Sequence, residues 1–113
     1  MSGFKDLSER AWRVRQLYAQ LETLRHGRAW SAEEVALGFV GDVGDLAKLV
    51  QAKEGVRDIP DAQNKLAHEL ADCLWSVMTL ARLYDVDLEA SFFSTMDELE
   101  RGIEAKLEKA TIV

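Results

Sequence analysis

The sequence is short of the residues that commonly advertise a chemistry or interrupt a helix. Its 113 residues include one cysteine, Cys73, one proline, Pro60, and seven glycines. A lone cysteine excludes an internal disulfide framework and a thiolate zinc cluster, and it points to a reducing, cytoplasmic compartment. Cys73 has no evident base partner and reads as a small buried residue, not a nucleophile. Positive charge is also scarce: 14 Lys+Arg stand against 20 Asp+Glu, a formal net charge of -6. Arg10, Arg13 and Arg15 are dispersed among acids, so no basic face is on offer to a nucleic-acid backbone or an anionic membrane. No apolar run approaches the roughly 20 residues that cross a bilayer, and Met1–Lys5 does not read as a signal peptide. Alternating strand patterns, internal repeats and low-complexity stretches are missing as well.

What remains is helical periodicity within one expected domain spanning 1–113. Phe4 to about Arg25 carries Leu7, Ala11, Val14, Leu17, Tyr18, Leu21 and Leu24 at 3–4 spacing, a single buried stripe. Gly27 suits the position just past its end. Ser31-Ala-Glu-Glu34 forms a capping box for a second helix running to about Lys53. After the polar turn Glu54–Asp58, Pro60 fits the first turn of a third helix that continues through about Tyr84. Asp87 can cap a fourth, Leu88 to about Lys109. Four helices of this length suggest an all-α four-helix bundle. The third reads Cys73-Leu-Trp-Ser-Val-Met-Thr-Leu-Ala81 after Asp72, apolar nearly all round, so it needs neighbours on more than one side. A homo-oligomer, dimer or tetramer, is the simplest way to supply them. Trp12 and Trp75 fit core or interface stripes.

The second helix breaks local rules. Gly38, Gly41 and Gly44 recur every three residues, each costing about 1 kcal/mol relative to alanine. Either close helix packing or room for a ligand beside Asp42 would compensate. Asp42 and Asp45 lie three apart, within one turn of each other, and Glu69 and Asp72 repeat that spacing on the third helix. An exposed acidic pair alone is a solvated face, and Lys48 is an available partner for Asp45. Two such pairs on antiparallel neighbours converge, and four converging carboxylates demand a cation. Oxygen ligands without a His–Cys cluster point to Mg²⁺ or Mn²⁺, the former commonly shared with substrate phosphates. A ferritin-like di-iron site would want Glu-x-x-His, whereas His68 precedes Glu69 and projects about 100° away from it.

Val40-Gly-Asp-Val-Gly-Asp-Leu-Ala47 followed by His68-Glu-Leu-Ala-Asp-Cys-Leu74 resembles the MazG-like all-α nucleoside triphosphate pyrophosphohydrolases. The likeness is closest to the dCTP-pyrophosphatase branch, with its V-G-E-V-G-E-L-A motif, and spans roughly Ala29 to Tyr84. It implies that Asp42, Asp45, Glu69 and Asp72 are metal ligands, two of them aspartates where the family has glutamate and therefore shorter by one methylene. It implies substrate contacts from His26 and Trp30, which stand four apart in the reverse of the family's order. Trp30 is equally suited to a hydrophobic staple before the Ser31 cap. Lys53 matches a lysine ending the family's second helix, while Ala52 replaces a tryptophan. On the fourth helix Thr95 and Leu99 replace a lysine and an asparagine, and Arg101 alone persists, as a phosphate contact or as a plain surface residue.

The resemblance implies Mg²⁺-dependent hydrolysis of a (deoxy)nucleoside triphosphate to monophosphate and pyrophosphate. Glu69 is the acid chosen to orient the attacking water. The shortened ligands and depleted fourth helix suit the alternative, a nucleotide-binding or structural helical oligomerisation module that has lost turnover. The acidic excess excludes polymeric nucleic acid but not a nucleotide, since bound metal would neutralise part of it.

Overall fold

A computed structural model describes residues 3–111. Four helices follow in chain order: α1 (Phe4–His26), α2 (Ala32–Lys53), α3 (Ala62–Leu83) and α4 (Leu88–Thr111), with no strand among the described residues. None of these helices is long and apolar enough to cross a membrane. The helix ends obey local chemistry. Gly27 turns the chain at φ 82°, and its N–H donates to the Thr23 carbonyl at 2.9 Å. The Ser31–Glu34 capping box closes in both directions: the Glu34 N–H donates to Ser31 Oγ at 3.2 Å, and the Ser31 N–H to Glu34 Oε1 at 3.0 Å. Asp87 Oδ1 accepts the Ala90 N–H at 3.1 Å. The start of α3 differs from the expectation. Pro60 lies outside the helix, which begins after Asp61 in the left-handed region at φ 56°. Asn64 Nδ2 steadies that turn with a 2.9 Å bond to Asp61 Oδ1.

The layout centres on α3. Most inter-helix contact joins α2 to α3, and α1 packs on another side of α3. α2 and α3 run antiparallel: Asp42 faces Asp72, and Leu49 shares a hollow with Lys65. Two interactions fasten α1 to α3. Trp75 Nε1 donates to the Ala11 carbonyl at 3.0 Å, and the Arg82 guanidinium lies 4.9 Å from the Trp12 ring centre. Both tryptophans thus serve packing. The core is thin, with Ala11, Val35, Leu49 and Met78 as its buried apolar residues. Thr79 is buried with them, and its hydroxyl has no partner among the described residues.

α4 carries a regular apolar stripe at Phe92, Met96, Leu99, Ile103 and Leu107, yet every one of these side chains is exposed and the helix buries none of its residues. The radius of gyration, 18.3 Å, exceeds the about 13 Å of a compact chain of this length. Between α3 and α4, Asp85 sits in the left-handed region at φ 57°.

Candidate metal centre and adjoining cavity

The α2–α3 hairpin gathers three acids. One carboxylate oxygen each from Asp42, Glu69 and Asp72 lies within 4.8 Å of the others. Glu69 is buried at 9 % exposure and Asp42 and Asp72 are half-buried, so the trio runs from the helix interface outward. Burial, followed by the negative charges of Asp42, Asp72 and Asp45, raises the Glu69 pKa above the ordinary carboxyl range, and His68 opposes this weakly. A cluster that penalises its own ionisation is one a cation relieves, and three hard oxygens suit a divalent ion. These residues therefore fit a metal of the Mg²⁺ or Mn²⁺ type.

Asp45 lies outside the trio. Three residues along a helix leave about 60° between side chains, and Asp45 is exposed while remaining near enough to influence Glu69. His68, expected as a surface or interface histidine, is indeed exposed, but it touches the trio: its Nε2 lies 3.1 Å from Asp72 Oδ2. The i,i+4 spacing was a signal for that contact. Cys73 is half-buried. Burial and then Asp42, Glu69 and Asp72 push its thiol pKa up, away from the thiolate a nucleophile needs.

Beside the trio opens a cavity of about 700 Å³ bounded by all three packed helices. Asp42, His68 and Asp72 form its acidic side, and Tyr18, Trp30 and Trp75 supply aromatic walls. Tyr18 and Trp75 meet edge to face with ring centres 5.6 Å apart. His26 and Trp30 both line this space. The Trp30 indole is seated on Gly38, where an added Cβ would come within 3.3 Å of Trp30 Cζ3. Close approach thus explains Gly38, and the approaching group is an indole, not a helix. Gly41 and Gly44 have nothing within 4 Å of a Cβ position among the described residues, so close helix packing does not account for them within one chain. Lys53, in the last turn of α2, and Arg101, on α4, are exposed and do not line the cavity.

Two residues of the cavity went unnoticed as functional candidates in the sequence. Arg15 is buried on α1 and pairs with Glu22 at 3.3 Å, and both reach the peptide groups of Trp30. Their separations from Trp30, 15 and 8 residues, follow no single-helix period, so only the α1–α2 turn brings them together.

Residues 30–104 match the MazG nucleotide pyrophosphohydrolase domain. No curated protein and no solved structure matches the chain. The matched stretch runs from Trp30 through the acidic hairpin into α4 and covers more than half of the sequence, so the chain belongs to the MazG nucleotide pyrophosphohydrolase domain family.

Proposed function

We propose that this protein hydrolyses a (deoxy)nucleoside triphosphate between its α and β phosphates, releasing monophosphate and pyrophosphate, as a nucleotide-pool house-cleaning enzyme akin to the dCTP-pyrophosphatase branch. The observation that carries this reading is the convergence of Asp42, Glu69 and Asp72 within the MazG stretch, with Asp42 and Asp72 at the edge of an aromatic-walled cavity. The trio holds Mg²⁺ or Mn²⁺, with Asp45 as an outer carboxylate. When bound, such an ion neutralises phosphate charge and lowers the pKa of water. Glu69, the most enclosed acid, orients the attacking water, while Trp30 and His26 receive the nucleobase. Positioning and charge stabilisation then do most of the catalysis. Lys53 and Arg101 stand outside the chain's own cavity, so in this reading they meet nucleotide only across an assembled interface. The uncovered stripe of α4 supports such self-association into a dimer or tetramer. A single cysteine and a nucleotide substrate suit a cytoplasmic location.

The absence of Lys53 and Arg101 from the cavity lining equally favours a second reading, a nucleotide-binding or oligomerisation module without turnover. A panel of NTPs and dNTPs with Mg²⁺ or Mn²⁺, assayed separately for pyrophosphate and orthophosphate, decides between them. Pyrophosphate release that disappears in Asp72→Asn establishes the enzyme. No release from any nucleotide, or release unaltered in Asp72→Asn, overturns it.

A further inference from the structure

Trp30 is held by its backbone in an unusual way. Glu22 Oε1 accepts the Trp30 N–H at 2.7 Å and also the Arg15 Nη1 donor at 3.3 Å, while Arg15 Nη2 donates to the Trp30 carbonyl. The two side chains are only 9 % and 14 % exposed, so this is a largely buried ion pair whose hydrogen bonds to the backbone end on one residue. Buried pairs contribute little net stability and are best explained by the geometry they enforce. Here the enforced geometry is that of a residue still 44 % exposed, whose indole rests on Gly38 and borders the cavity. The neighbouring Arg28–Glu34 pair, 2.6 Å apart, fastens the turn to the start of α2 and leaves Trp30 to the Arg15–Glu22 clasp.

We propose that Arg15 and Glu22 are positioning residues that lock the Trp30 wall of the cavity, setting affinity for the nucleobase and not the rate of phosphate cleavage. This rests on the nucleotide reading of the site. An aromatic face contributes to base binding only if it is already in place, because ordering it on binding subtracts from affinity. The planar Arg fork is what lets one side chain reach both Glu22 and the Trp30 carbonyl, and a lysine cannot reproduce it. The clasp's hydrogen bonds and ion pair involve none of the carboxylate trio, so its loss is expected in KM.

The test compares steady-state kinetics and binding of a non-hydrolysable triphosphate analogue, with Mg²⁺, in the parent, Arg15→Lys, Glu22→Gln and Gly38→Ala. In Arg15→Lys and Glu22→Gln, KM and the analogue's Kd are expected to rise about tenfold with kcat within about twofold, the signature of lost uniform binding. A merely structural clasp predicts the opposite split: less folded protein, lower apparent kcat and unchanged KM. Gly38→Ala leaves both clasp residues in place and improves the helix, yet displaces the indole by a few tenths of an ångström. It is expected to raise KM in the same direction by a smaller factor, with no loss of melting temperature. If the clasp variants fail to fold, Gly38→Ala decides alone. An unchanged KM in folded variants overturns this inference while leaving the proposed activity standing. A parent that neither turns over nor binds any nucleotide overturns both.

Discussion

The α2–α3 hairpin and α4 are helices of similar length with apolar stripes at helical spacing, yet they behave oppositely. The hairpin buries part of its apolar surface, at Val35, Leu49 and Met78, and with it a carboxylate that burial penalises. Among the described residues α4 buries none of its own, and none of its acids joins the carboxylate trio. The comparison separates two kinds of unfinished surface. In the hairpin the deficit is electrostatic and calls for a cation, whereas in α4 it is apolar and calls for another protein surface.

Neutralising the hairpin gives the largest effect. Glu69→Gln is expected to lower turnover by about 100-fold or more, several kcal/mol of lost charge stabilisation. The same variant raises the metal-free melting temperature by about 4 °C, on the order of 1 kcal/mol, because a like charge leaves a crowded site. It also loses the metal-dependent rise in melting temperature that the parent shows. The pH dependence has a fixed sign. Because the folded Glu69 pKa lies above its unfolded value, metal-free stability rises as pH falls from the raised value to the ordinary carboxyl range. A circular-dichroism melt series from neutral pH to about pH 5 reads it.

Leu99→Asp strikes the other region. Since α4 contributes no buried residue, the chain's helical signal and the packing of α1–α3 are expected to survive. For the proposed self-association, light scattering is expected to read more than one chain in the parent and one chain in the variant. Loss of helicity, or an unaltered mass above one chain, breaks the contrast drawn between the two regions.

Smaller effects sharpen it. Thr79→Val removes a buried hydroxyl that lacks a partner and is expected to stabilise the protein by about 1 kcal/mol in chemical denaturation. At the cap of α2, the hydrogen bond from Arg28 and then the Ser31 backbone hold the Glu34 carboxyl down to about 2. Its contribution is thus complete above the ordinary carboxyl range and fades as pH falls through about 2. In Arg28→Ala, an NMR titration should find this pKa higher but still below the ordinary value, because the Ser31 bond remains.

Much of this was legible in the sequence because it depends on spacing within one helix. The four helices, the Ser31–Glu34 box, the Asp87 cap and the pairing of Glu69 with Asp72 all follow from local period and end chemistry. Features set by packing between helices were not. Asp45 shares a turn with Asp42, but the angle between them becomes decisive only once α3 fixes which side faces inward. The left-handed conformation of Asp85 between α3 and α4 is another feature that a propensity argument does not reveal. The Arg15–Glu22 clasp has no signature in the sequence, since only the returning α1–α2 turn delivers the Trp30 peptide groups to it.

The central claim is that the hairpin's three carboxylates form a divalent-cation site. An electron paramagnetic resonance titration of Mn²⁺ into the parent, Asp42→Asn and Glu69→Gln tests it without assuming any substrate. The parent is expected to deplete the free Mn²⁺ signal, and each variant to bind at least about tenfold more weakly. Equal depletion by all three proteins, or none by the parent, would contradict it.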